Sequence, residues 1–234
     1  MPILLALDAS SSACSAALLQ RREGNDDVLL SRFALTPREH TRRLLPMVDQ
    51  VLSEAGLSPV ELDAVAYGHG PGSFTGLRIA AGLAQGLAYG LDRPLLGVST
   101  LEALALGAHR RHALSHIVTA LDARMGEIYV AAWRCHDGLT ETLSQEAVMP
   151  PERLQLPAGH VDTGWVGVGS GWTLREAMSD EIRRRVGQGD TSLEPAAEEM
   201  VLLAARAYAA GERHAAHEVQ PIYLRDQVAW QKSR

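Results

Sequence analysis

Lysine is nearly missing from this chain of 234 residues: 22 residues are basic, but Lys232, close to the C-terminal end, is the single lysine among 21 arginines. No lysine can therefore serve a P-loop GK[ST], a pyridoxal Schiff base or a kinase-type phosphate clamp. Cysteine is as scarce. Cys14 and Cys135 form neither a CxxC pair nor a disulfide framework, so both read as small core residues in a reducing compartment. Long apolar runs are lacking too. The longest stretch free of Asp, Glu, Lys and Arg is residues 64–77, 14 positions, against the roughly 18 needed to span a bilayer. The opening MPILLALD has no basic n-region and meets Asp8 at once, which reads as a strand rather than a signal peptide; a soluble, cytoplasmic protein is expected. Nor is there an excess of positive charge. With 28 acidic residues against 22 basic, the net charge is −6, spread over both halves, so neither is an electrostatic grip for a phosphate backbone.

What is present is a core-forming composition, 46% hydrophobic, arranged as an internal repeat. Leu4-Leu5-Ala6-Leu7-Asp8-Ala9 is echoed by Val118-Thr119-Ala120-Leu121-Asp122-Ala123. Each copy is followed by a second apolar stretch (15–19 and 128–133), a polar turn (23–26 and 136–138) and a third strand-like run (28–35 and 139–148). Farther on, the strand 64–67 runs into Gly68-His69-Gly70-Pro71-Gly72, and the strand ending at Val166 into Gly167-Val168-Gly169-Ser170-Gly171, with a helix expected after each. Leu44, Leu45, Val48, Val51, Leu52 and Ala55 recur at helical spacing and stop at Gly56; Pro46 must then lie in the first turn or kink the helix. Ser58-Pro59-Val60-Glu61 has capping-box form. A last helix, about Pro195 to Ala210, ends at Gly211. Each half reads βββαβα, a sheet covered by helices. The boundary falls near residues 108–115, in a His/Arg-rich stretch.

Asp8 ending the first strand, Ser10 and Ser11 after it, and the Gly70/Gly72 turn leading into a helix are the parts of a phosphate site: exposed N–H groups, a helix N-terminus and a carboxylate. The same residues serve equally to make a tight turn, and composition does not decide between the two. His112 and His116 stand four apart, a metal-ligand spacing, but His116 opens an apolar strand, so these histidines read as a solvated linker; His214 and His217 look incidental. On the helix 75–91, Gly82, Gly86 and Gly90 share one face. Each costs about 1 kcal/mol relative to alanine, offset when another backbone approaches closely. That backbone is either the chain's own or a partner's helix, which makes this face the best interface candidate.

Asp8-Ala9-Ser10-Ser11, the loop Gly70-Pro71-Gly72-Ser73-Phe74-Thr75-Gly76-Leu77-Arg78, the turn Asp122 to Tyr129 and the tail Pro221-Ile222-Tyr223-Leu224-Arg225 together resemble the bacterial TsaB family, also called YeaZ. The resemblance spans nearly the whole chain. It implies an actin-like ATPase and sugar-kinase (ribonuclease-H-like) α/β fold of two duplicated βββαβα domains, 1–110 and 111–234, with the C-terminal helix and tail packing back on the first. The family is similar to TsaD, which transfers a threonylcarbamoyl group to the adenosine beside the anticodon of tRNAs reading codons that begin with A. TsaD-like proteins carry two metal-binding histidines four apart; here the matching segment is His40-Thr41-Arg42-Arg43-Leu44, and one histidine cannot hold a catalytic metal.

The implied role is thus a non-catalytic subunit without catalytic or metal-ligating residues, pairing with TsaD, joined by TsaE, and dimerising when alone. It would reach tRNA only indirectly, through the complex. The implied interface comprises His40, Leu44, Leu45, Val48, Leu52, Ile79, Gly82, Gly86 and Gly90. The chain needs no cofactor of its own, ATP or ADP belonging to the complex, and Asp8, Ser10, Ser11, Gly70 and Gly72 are a vestigial nucleotide pocket. The competing reading is a small ATP-dependent phosphotransferase of the acetate- or sugar-kinase class using Asp8 and the Gly68–Gly72 loop. An older peptidase label finds no nucleophile or metal pair in the sequence.

Overall fold

Strand β1 (Ile3–Asp8) shows no alternation: every residue after Ile3 is buried, as in a strand covered on both faces. A computed structural model describing residues 1–22, 24, 26–159 and 164–225 places it at the centre of a sheet. Glu23 and Asn25 of the first polar turn, and Lys232, lie outside the described residues. β2 (Ala13–Gln20) and β3 (Val28–Leu35) extend the sheet antiparallel on one side. After α1 (His40–Ala55), β4 (Ala64–Gly70) joins β1 in parallel; α2 (Phe74–Leu91) then leads to β5 (Leu95–Ser99) and α3 (Thr100–His112). The second copy runs β6 (His116–Arg124), β7 (Glu127–His136), β8 (Leu139–Thr142), β9 (Ala147–Met149) and β10 (Trp165–Val168). A 3-10 helix (Ser170–Ala177), α4 (Asp180–Arg185), β11 (Val186–Gln188) and α5 (Ala197–Ala209) complete it.

The sheets are ordered β3-β2-β1-β4-β5 and β11-β10-β6-β7-β8, the same order when each repeat is counted from its own first strand and β9 is left aside. The sequence repeat is therefore a topological one, the duplicated two-sheet α/β arrangement that the resemblance implies. Successive residues of β1 feed opposite layers: Leu5 and Leu7 pack under α1 and α2, Leu4 and Ala6 under α5. In the second sheet Ile117 and Leu121 face α3, while Val118 and Ala120 face Trp165 and Trp172. Helices α3 and α5 thus lie between the two sheets, α5 against the first and α3 against the second.

Several local expectations change. The His/Arg-rich stretch is not a linker but the last turn of α3, where Arg110 and Arg111 complement the helix dipole. His109 is pinned: Nδ1 bonds the Leu114 carbonyl at 2.8 Å and the Gly138 N–H donates to Nε2 at 3.3 Å. The helix α1 starts a turn earlier than its apolar spacing suggests, so Pro46 sits inside it. The single run 139–148 is two short strands, both pairing with β7. Between them Leu143 and Ser144 both donate to the Ala132 carbonyl, and the Ser144 hydroxyl accepts from Ala132 N–H, which interrupts the ladder. In the second half the glycine-rich turn leads into a 3-10 helix, not an α-helix.

Candidate cleft and partner-facing helices

Asp8 ends β1 with 0% exposure, and its carboxylate accepts from the Ser10 N–H at 3.2 Å and the Ser10 hydroxyl at 3.0 Å. Gly68 leaves room for it, since a Cβ there would stand 2.2 Å from Asp8 Oδ1. Burial, reinforced by the charge of Glu194, outweighs the Ser10 hydrogen bonds and raises the Asp8 carboxyl to about 7. Ser12 donates to Glu194 at 2.6 Å, tying the β1–β2 turn to the segment before α5.

The structure brings Asp8, Ser10, Ser11, Gly70 and Gly72 together, but around the chain's own backbone. A Cβ on Gly72 would stand 2.4 Å from the Ser10 carbonyl, on Gly76 1.9 Å from the Ala9 carbonyl, and on Gly70 2.7 Å from the Ile222 carbonyl. Ser73 N–H donates to Ser10 O at 2.7 Å, and the Ser73 side chain caps α2 by accepting from Gly76 N–H. The glycines are needed for backbone-on-backbone packing, at Gly70 with φ of 126°. The groups facing them are carbonyl oxygens, which repel an anion. This geometry fits the reading of these five residues as tight turns.

The open space is next door. A cavity of about 420 Å³ lies between the N-terminal turns of α1 and α2, lined by Arg38, His40, Thr41, Ser73, Thr75, Gly76 and Ile79. Nothing of Asp8, Ser10 or Gly70 lines it. His40 is fixed at its rim, Nε2 donating to the Ser11 carbonyl at 3.1 Å. Leu44, one helical turn along, is 1% exposed and packs into the core. Among the described residues, no three His, Cys, Asp or Glu side chains come together as a metal site.

The interface residues divide. Leu44, Val48 and Leu52 are buried under the first sheet, which corrects their assignment to a partner surface: the apolar stripe of α1 is spent on the protein's own core. Leu45 is 45% exposed. Ile79 is half-buried, and Gly82, Gly86 and Gly90 are exposed with nothing within 4 Å of a built Cβ. Among the described residues, no backbone of the chain itself approaches those glycines.

The resemblance places the tail back on the first lobe; that it also reaches the second was not read from the sequence. Gln85 Nε2 and the Tyr67 hydroxyl donate to the Val219 carbonyl at 3.0 and 3.3 Å, and Ile222 N–H donates to His69 O at 2.7 Å. The Arg78 Nε donates to the Tyr223 hydroxyl at 3.1 Å, and Arg225 pairs with Glu127 on the β6–β7 hairpin. The tail thus spans both lobes. The only signal for it was the Pro221–Arg225 motif itself, which carries no ionic or periodic pattern pointing to a strap.

A family model described as TsaD, tRNA N6-adenosine threonylcarbamoyltransferase, matches residues 34–233. The chain is 42% identical over 230 residues to the tRNA threonylcarbamoyladenosine biosynthesis protein TsaB of Escherichia coli (strain K12), covering 98% of this chain and 97% of that one. It is 38% identical over 245 residues to TsaB of Haemophilus influenzae, covering 98% and 96%. Among solved structures, YeaZ from Pseudomonas aeruginosa superposes with a TM-score of 0.86 at 44% identity, over 96% of this chain and 100% of that one.

Proposed function

We infer the function from one premise: the chain belongs to the TsaB (YeaZ) proteins of tRNA threonylcarbamoyladenosine biosynthesis, within the wider TsaD family. From it we propose that this chain is a non-catalytic, cytoplasmic subunit that pairs with TsaD through α1 and α2. It forms homodimers through the same helices when alone, and works in a complex that TsaE joins and that handles ATP or ADP. The non-catalytic part rests on two features. Asp8 is walled in by Gly68 and Ser10, and Leu44 stands in the core where TsaD-like proteins carry a second metal-binding histidine.

One observation carries the pairing: three glycines four apart on α2, exposed and with nothing among the described residues within 4 Å of a Cβ built on them. Three such residues weaken the helix by about 1 kcal/mol each, and a second helix laid across them recovers that loss through close packing. Leu45 of α1 and Tyr89 of α2, 45% and 84% exposed, supply apolar surface on the same two helices. Gly86→Leu is expected to abolish co-purification with TsaD and leave the thermal midpoint of the isolated chain unchanged or higher. Retained pairing would sink the proposal.

A further inference from the structure

Two helices lie between the sheets, and each half of the chain supplies one to the other half's sheet: α3 follows β5 yet packs on β6 and β7, and α5 follows β11 yet packs on β1 and β2. Any change in the angle between the lobes must therefore move α3 against α5. The apolar cover they share is made mostly of small residues, with Ala103, Leu106, Ala197, Ala204 and Ala205 in one buried cluster. Methyl groups fill space but match one another at several offsets, so such a contact fixes separation better than register.

A charged group lies in the same layer. Glu199, in the first turn of α5, is 1% exposed. Arg110, in the last turn of α3, donates from Nη1 at 2.9 Å to Glu199 and at 2.9 Å to Glu198, and Arg111 stands 3.9 Å from Glu199. Glu198 in turn accepts from the Ser31 hydroxyl of β3 at 2.9 Å. Gly107 of α3 lies over the buried carboxyl, where a Cβ would stand 3.5 Å from Glu199 Cδ. One line of polar contacts thus runs from β3 through α5 to α3. The carboxylates sit at a helix N-terminus and the guanidiniums at a helix C-terminus, the favourable sense for both dipoles.

Stability alone does not account for this placement. Burial, with the charge of Glu198 added, pushes the Glu199 carboxyl above its ordinary value against the pull of Arg111 and Arg110. An apolar side chain of similar volume in such a place is often no less stabilising. What the pair adds is direction, because a guanidinium meets a carboxylate along fixed donor axes, which alanine against alanine does not supply. We propose that Glu199 and Arg110 are an orientation lock: they hold α3 and α5 at one register and so set the angle between the two lobes. Glu198, tied to Ser31, carries the same constraint to the outer strand of the first sheet.

The test is a distance measurement by double electron–electron resonance on the full chain. Spin labels go on Val60→Cys in the first lobe and Glu152→Cys in the second, both exposed positions, and the sample is diluted with unlabelled chain so that only distances within one molecule are read. Cys14 and Cys135 are buried and stay unlabelled. A single narrow distance peak is expected. Glu199→Leu should spread it into a broad distribution and leave the urea midpoint equal or higher. Arg110→Met should spread it too, at a lower midpoint, because a buried carboxylate is left without its donor. Leu52→Ala, which opens a cavity under α1, should lower the midpoint and leave the peak narrow. A narrow peak in either lock variant overturns the proposal, as does a broad distribution in the chain with Glu199 and Arg110 intact. Equal broadening in Leu52→Ala also overturns it, since the spread would then follow from lost stability.

Discussion

Asp8 is a carboxylate that the fold prefers protonated. Burial raises it from 3.8 to about 7, so its contribution to stability is complete below pH 4 and is lost as the pH rises through 7. Above that value the ionised form costs the folded state on the order of 4 kcal/mol, an upper bound set by about 1.4 kcal/mol per pKa unit. Asp8→Asn keeps the shape and an acceptor for Ser10 N–H. It is expected to raise the urea midpoint at pH 8 and to leave it nearly unchanged at pH 4; equal gains at both values would show that ionisation is not the cause. His69 is the reverse case, burial alone holding its imidazole down at about 4, so it is neutral across the physiological range while its backbone carbonyl holds Ile222. An aspartate at the end of the first strand was visible in the sequence. Its enclosure by Gly68 was not, because that depends on how β4 lies beside β1.

The helix α2 holds glycines of two kinds, and the distinction belongs to the element, not to the residue type. Gly76 faces the Ala9 carbonyl, which a Cβ would approach to 1.9 Å, while Gly82, six residues later, faces open space. The same substitution should therefore act with opposite sign within one helix. Gly82→Ala is expected to stabilise the isolated chain by about 0.5–1 kcal/mol through backbone entropy. Gly76→Ala should destabilise it by about 1–3 kcal/mol by forcing the two loops apart. Chemical denaturation of both variants checks this. Periodicity located the helix and the four-residue spacing of Gly82, Gly86 and Gly90, but a one-dimensional pattern cannot say whether a glycine meets a carbonyl or solvent. For α1 the same limit misled: Leu44, Val48 and Leu52 recur at the spacing of an apolar stripe, and such a stripe covers the protein's own sheet before it serves any partner.

At the scale of the molecule, the two lobes are joined at several independent places. Helices α3 and α5 share the space between the sheets, Ser12 reaches Glu194, and the tail runs from His69 to Glu127. The Arg225–Glu127 pair is part-buried, with side chains 20% and 32% exposed, so a double-mutant cycle is expected to return a coupling of about 1 kcal/mol or less. Arg225→Ala should speed hydrogen exchange at the Ile222 amide, whose partner is the His69 carbonyl. Exchange unchanged by the substitution would mean that the ion pair does not hold the strap.

The repeat, the capping box at Ser58 and the family were determined by the sequence alone, because each is a local or periodic signal that survives without coordinates. Where the glycine loop points, which apolar residues of α1 are spent inside, and how the tail ties the lobes were decided only by the tertiary structure. Those depend on contacts between segments far apart in the chain, where one carbonyl oxygen in the space of a Cβ changes what a residue does.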